Sequence, residues 1–245
     1  MARQAWKFEE TGRWIRTTFE GVTIADSKRV KLMMESRGEQ DYYFPLEDVR
    51  QDLLQPSAYV ETSGYRGVRR FWHVRVEDRV AENAAWTYDP QDRRPDFSNT
   101  IAFKWPAMDH WYEEEEEVYL HPRNPYHRVD TLPSSRHVEI FVDGVKVADT
   151  TRPFLLFETG LRTRYYIPTA DVDNEFLVAS DLQTVCPYKG FASYYDIVVN
   201  GETVTNAVWT YPDPIPEAPK LKDTVAFWPE KDKRIQVVVD GELAK

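Results

Sequence analysis

An all-β protein built from two tandem domains is predicted by three features of the 245-residue sequence. Residues 21–88 recur without a gap at residues 144–211. A shift of 123 positions lays Gly21 to Ser27 on Gly144 to Thr150 and Asn83 to Tyr88 on Asn206 to Tyr211, with 22 of 68 pairs identical. A repeat of this length exceeds a solenoid period and reads as one domain copied and fused to itself. Short stretches rich in β-branched and aromatic residues dominate both copies. Asp143-Gly144, Asn200-Gly201 and Asp240-Gly241 supply the dipeptides of type I′ hairpin turns, so neighbouring strands are expected to be antiparallel. The domain division expected is 1–120, an ordered connector at 121–136, and 137–245.

Along the chain, strands are predicted at Trp14 to Phe19, Val22 to Ala25, Phe71 to Val76, Ala84 to Tyr88 and Ile101 to Trp105, then at Val138 to Val142, Tyr194 to Val199, Val208 to Tyr211 and Ile235 to Val239. One short helical turn is expected in each copy, at Asp48 to Leu54 and Asp171 to Leu177, with Asp48 and Asp171 as N-caps. The connector carries three prolines together with His121, Arg123, Tyr126, His127, Arg128 and Arg136. Two roles stay open for it: lining a ligand pocket at the junction, or lacing the domains through hydrogen bonds.

A hydrophobic fraction of 42% with 14% aromatics fits folded domains, and a net charge of -10 argues against a nucleic-acid partner, which requires a net-basic face. The Glu113 to Glu117 run is expected to be solvated surface. The single cysteine, Cys186, excludes an intramolecular disulfide framework and a multi-cysteine zinc site, and points to the cytoplasm. Neither a signal peptide nor an apolar span of about 20 residues is present in the sequence, so no membrane role is expected.

The candidate chemistry lies where the copies diverge. Thr62 to Gly67 align with Val185 to Gly190; both keep a tyrosine, a cation and a glycine, and only the second has a thiol. A cation beside a cysteine favours thiolate, which makes Cys186 with Lys189 the candidate nucleophile, against the alternative of a small buried hydrophobe. In the first copy Arg66, with Arg69 and Arg70, is a candidate anion holder. The retained aromatics Tyr65, Trp86 and Tyr88 match Tyr188, Trp209 and Tyr211, and Tyr42 and Tyr43 match Tyr165 and Tyr166. Alternation puts Trp209 and Tyr211 on one strand face, giving an aromatic wall suited to a planar or cationic ligand, or simply a packed core. The five histidines form no close ligand pair, and no phosphate loop, nucleophile elbow or dinucleotide fingerprint occurs, so neither a metal nor a cofactor is expected.

Tyr166-Ile167-Pro168-Thr169-Ala170-Asp171-Val172, Thr184-Val185-Cys186-Pro187-Tyr188-Lys189-Gly190 and Trp209-Thr210-Tyr211-Pro212 resemble the motifs of domain-of-unknown-function family 427. The likeness covers almost the whole chain, twice. The first copy departs from it, with Ser63-Gly64 at the Cys-Pro position and Asp89 at the final proline, so that copy lacks the thiol. The resemblance implies a β-tent fold of two antiparallel sheets, similar to methionine sulfoxide reductase B and the drug-binding domain of cereblon. Those relatives often hold zinc through cysteine pairs; with one cysteine, this chain must rely on its aromatic core. A nucleotidyltransferase-like label attached to the family finds no paired metal-binding carboxylates here. The function expected is binding of a small ligand in an aromatic-lined pocket or at the domain junction. The alternatives are an enzyme, thiol-dependent or nucleotidyltransferase-like, and an interaction scaffold.

Overall fold

The computed structural model describes residues 6–35, 40–63, 66–90 and 95–244. The chain divides into two compact units, Met1–Asn124 and Pro125–Lys245. The stretch 121–136, expected to be a connector, is shared between them, and Val129–Pro133 within it is the edge strand of a sheet in the second unit.

Each unit pairs a seven-stranded with a four-stranded antiparallel sheet, in the same order. In the second unit the larger sheet runs Val129–Pro133, Phe154–Glu158, Arg164–Pro168, Thr224–Phe227, Glu202–Thr210, Gly190–Val199, Leu177–Cys186. The smaller runs Val145–Thr150, Val138–Val142, Ile235–Val239, Glu242–Leu243. The hairpin turns read from the sequence form as expected, since Asp143-Gly144, Asn200-Gly201 and Asp240-Gly241 all have positive φ at both residues.

The two faces of the large sheet bury different side chains, which follows from the two-residue period of a strand. Ile167, Ile197, Val208, Val225 and Phe227 face the small sheet and meet Val138, Ile140 and Val237 in the main core. Tyr166, Trp209 and Ala226 point to the other face, where Leu156, Tyr211 and Leu221 complete a second cluster. The first unit repeats this division, with Tyr43, Phe71, Trp86, Tyr88 and Phe97 on its outer face.

The expected helical turn is instead a pair of 3-10 turns in each unit: Leu46–Asp48 and Gln51–Leu53, and Thr169–Asp171 and Asn174–Phe176. Asp48 and Asp171 are not N-caps. Between the two turns Val49 and Val172 bridge back to Ala25 and Ala148, which breaks any continuous helix and leaves each aspartate at the end of the first turn. There Asp171 accepts hydrogen bonds from Thr150 Oγ1 at 2.6 Å and Arg152 Nη2 at 2.7 Å, as Asp48 does from Ser27 Oγ at 2.6 Å and Arg29 Nη2 at 2.7 Å. The cap that does form is Asp173, whose side chain accepts from the Glu175 amide.

Retention of Gly190 has a steric cause: its φ is 103°, and a Cβ there would lie 3.3 Å from the Asp213 carbonyl and the Ile215 amide nitrogen. The Glu113 to Glu117 run departs from a purely solvated face. Glu113 is 3% exposed and takes Arg13, the Tyr42 hydroxyl and Arg123 as partners. Among the described residues no helix is long and apolar enough to cross a membrane.

Candidate functional site

On the outer face of the second unit one register row carries Phe154, Tyr166, Ala226, Trp209 and Tyr194 across five strands. Small Ala226 between Tyr166 and Trp209 lets the rings meet edge to face at 6.3 Å, and Trp209 Nε1 donates to the Tyr166 hydroxyl at 3.0 Å. Trp228, half-exposed, stands edge-on to Trp209 at 6.2 Å. These rings wall a cavity of about 220 Å³ whose remaining lining includes Tyr211, Leu161, Arg164, Lys189 and Glu158.

The polar floor is an ion pair. Lys189 Nζ lies 2.5 Å from Glu158 Oε2, with both side chains at most 10% exposed. His127 Nε2 approaches the other carboxylate oxygen at 2.9 Å and stacks on Tyr188 with centroids 4.4 Å apart. Burial alone pushes the Glu158 carboxyl up; the hydrogen bonds and charges of Lys189 and His127 outweigh it and hold the carboxyl below its ordinary 4.5. Burial raises the Tyr166 and Tyr211 hydroxyls well above the usual tyrosine range, so both stay protonated. Because the folded-state value of Glu158 is depressed, its contribution to stability is present above pH 4.5 and lost as pH falls through the folded value. Acid titration of unfolding should therefore show a component below pH 4.5 that disappears in Glu158→Gln.

The sequence-derived candidates separate into groups. Tyr166, Trp209, Tyr211 and Lys189 line the cavity. Cys186 is partly buried and packs against the same aromatic cluster, and the Lys189 amide donates to the Cys186 carbonyl at 3.2 Å, closing the turn between them. The ammonium of Lys189, however, is held by Glu158. Tyr188 and His127 back the ion pair rather than lining the cavity. The contacts of the remaining connector residues include those of His121, Arg123 and Arg128. His121 Nδ1 meets the Pro122 carbonyl at 2.8 Å, and Arg123 reaches Glu116 at 3.1 Å as well as Glu113. Arg128 bonds Asp130 and, through its amide, Thr159, while Tyr126 is an exposed ring.

The first unit keeps the floor and fills the room above it. Arg66, buried, pairs with Glu35, and Trp86 Nε1 donates to Tyr43 Oη at 3.3 Å. Burial opposes the Arg66 charge, but the Tyr88 hydrogen bond, nearby Tyr43 and Glu35 more than offset it. Arg69, aligned with Ala192, lays its guanidinium 5.0 Å over the Trp86 ring and donates from Nε to the Tyr88 hydroxyl at 3.0 Å. Phe97 stacks on Tyr88 at 4.7 Å and sits 4.9 Å from both Tyr43 and Phe8. The corresponding second-unit residues are smaller. Leu221 takes the Phe97 place, each carbonyl accepting the following threonine hydroxyl, and Thr131 takes that of Phe8. Tyr65 lies outside the described residues.

Glu35 and Glu158 are the site residues that the sequence reading missed. Both are identical across the repeat, and each ends an apolar strand, which is the signal of a carboxylate retained for a buried partner. Metal ligation has one candidate among the described residues, His137 with Glu139 and Asp149, but Lys146 Nζ already sits 3.2 Å from Glu139 and 2.5 Å from Asp149.

Two copies of a double-sheet β domain, each with an aromatic outer face over a buried cation paired with a carboxylate, define the class of protein. The chain belongs to the family described as domain of unknown function (DUF427), whose model matches residues 7–114 and again 130–242. No curated protein matches the chain.

Proposed function

We propose that the second unit binds a small planar ligand in its aromatic-walled cavity, with a polar group of the ligand reaching Lys189 and Glu158. The observation that carries this reading is the contrast between copies. The same aromatic wall is covered by Arg69, Phe97 and Phe8 in the first unit, and by Ala192, Leu221 and Thr131 at those places in the second. Replacing large side chains by small ones inside a close-packed domain normally costs stability, so an open cavity walled by Trp209, Trp228 and Tyr194 is better suited to being occupied. Stacking on the indoles supplies affinity, and the buried ion pair selects a ligand with a donor and an acceptor on one edge.

Ligand binding to the folded state raises the melting midpoint, so a thermal-shift screen of planar heterocycles finds hits that stabilise the protein. Trp228→Ala, at the cavity mouth and half-exposed, is expected to lower the affinity of those hits by about tenfold, as loss of one stacking partner worth about 1–1.5 kcal/mol would. Hits unaffected by both Trp228→Ala and Trp209→Ala would sink the assignment.

A further inference from the structure

A second cavity lies in the same unit, inside the sheet sandwich. Its volume is about 210 Å³, and its walls include Ile140, Tyr165, Phe227, Pro229, Val237 and Ala244, with Arg162, Arg164 and Glu230 also lining it. The duplication shows what fits there. Trp111 of the first unit and Val237 of the second hold the same backbone position, since each carbonyl accepts from the matching amide, Val118 N or Ala244 N, at 2.8 Å. Likewise Lys104 N and Trp228 N donate to Ala84 O and Ala207 O, which puts Trp105 opposite Pro229. In the first unit the two indoles stack in parallel, 4.4 Å between centroids and 8° between planes, and Trp111 also packs beside Tyr42 and Phe44. At the matching places the second unit has Pro229, Val237, Tyr165 and Ile167, so the volume of an indole is missing and a tyrosine ring remains as one wall.

The polar lining supplies the other half of the recognition. Glu230 lies between two guanidinium groups, 2.7 Å from Arg164 Nη1 and 3.8 Å from Arg162 Nη1, so the three side chains carry one net positive charge beside an apolar chamber. From this geometry we infer that the chamber between the sheets of the second unit is a binding site for a small aromatic carboxylate. Its ring takes the place that Trp111 fills in the first unit, and its carboxylate meets Arg162 and Arg164. Arginine suits that role because its planar fork offers paired donors to a carboxylate. The site shares Arg164 with the outer-face cavity but has its own apolar walls, and Arg162 lines this chamber alone.

Indole-3-carboxylate is the probe, titrated calorimetrically into the full chain, with tryptamine as the cationic counterpart of the same ring. The carboxylate should bind at least about tenfold more tightly than tryptamine, and Arg162→Gln should weaken it about tenfold, the size expected for one charge-assisted hydrogen bond. Val237→Trp, which restores the residue of the first unit, should abolish binding while the protein still melts cooperatively. Equal affinity for the two probes, no binding of either, or unchanged affinity in Val237→Trp would each overturn the proposal. Should Val237→Trp fail to fold, the exposed Arg162→Gln variant decides: unchanged affinity refutes the site, and selective weakening of the carboxylate supports it.

Discussion

Lys189→Met should destabilise the second unit by about 3–5 kcal/mol, because it leaves the Glu158 carboxylate in an apolar setting without its principal countercharge. The pair itself contributes far less than that. Removing both charges in Lys189→Met/Glu158→Leu should recover most of the loss, since a desolvated ion pair and an apolar pair of similar size are close in stability. The pattern expected in denaturant melts is therefore one severe single variant and a mild double variant. Additive losses in the double variant would show that Lys189 stabilises by some route other than Glu158. His127 Nε2, 2.9 Å from the other oxygen of the same carboxylate, is the partner that Lys189→Met leaves in place.

Trp111→Val should cost the first unit about 3–5 kcal/mol, the range for emptying a large aromatic from a packed core. Trp111 is 3% exposed, stacks on Trp105 and donates from Nε1 to the Trp105 carbonyl at 3.2 Å, so the substitution removes area, stacking and a hydrogen bond together. The second unit carries valine at this place and still forms the same double-sheet core. The surrounding residues account for the difference: Phe44, Trp105 and Val118 are matched by Ile167, Pro229 and Ala244, so one sheet pair is packed around an indole and the other is not. Introducing the valine alone strands those larger neighbours around a void. A loss below about 1 kcal/mol, read as a shift in the denaturation midpoint, would mean that the first-unit core closes around the gap.

Much of the architecture was legible because local chemistry determined it. The 123-residue shift fixed two like units, and the Asp-Gly and Asn-Gly pairs fixed antiparallel hairpins whose φ values are positive as those turns require. Trp-Thr-Tyr alternation placed Trp209 and Tyr211 on one face. The failures have equally local causes. A proline followed by an acidic turn suggested a capped helix at Asp171, whereas Val172 is drawn into a bridge with Ala148, a tertiary contact that no helix signal encodes. Glu113 sat in a run of five acids and looked solvated, yet strand alternation turns it inward to Tyr42 and two arginines. Glu158 was missed because its partner Lys189 lies 31 residues away, a pairing set by sheet order rather than by spacing. The cavities were illegible for the same reason. Each arises from side chains on different strands, and only a residue-by-residue match of two folded copies shows which positions became smaller.

The most direct test is a nitrogen-15 NMR titration of the indole N–H signals with planar ligands that stabilise the protein. Trp209 Nε1–H is held by the Tyr166 hydroxyl, and Trp228 stands beside it at the cavity mouth, so both resonances should shift together and saturate at one ligand equivalent. Trp86, already covered by Arg69, should stay in place. Stabilising ligands that move Trp86 or other indoles while leaving Trp209 and Trp228 unshifted would contradict a binding site on the outer face of the second unit.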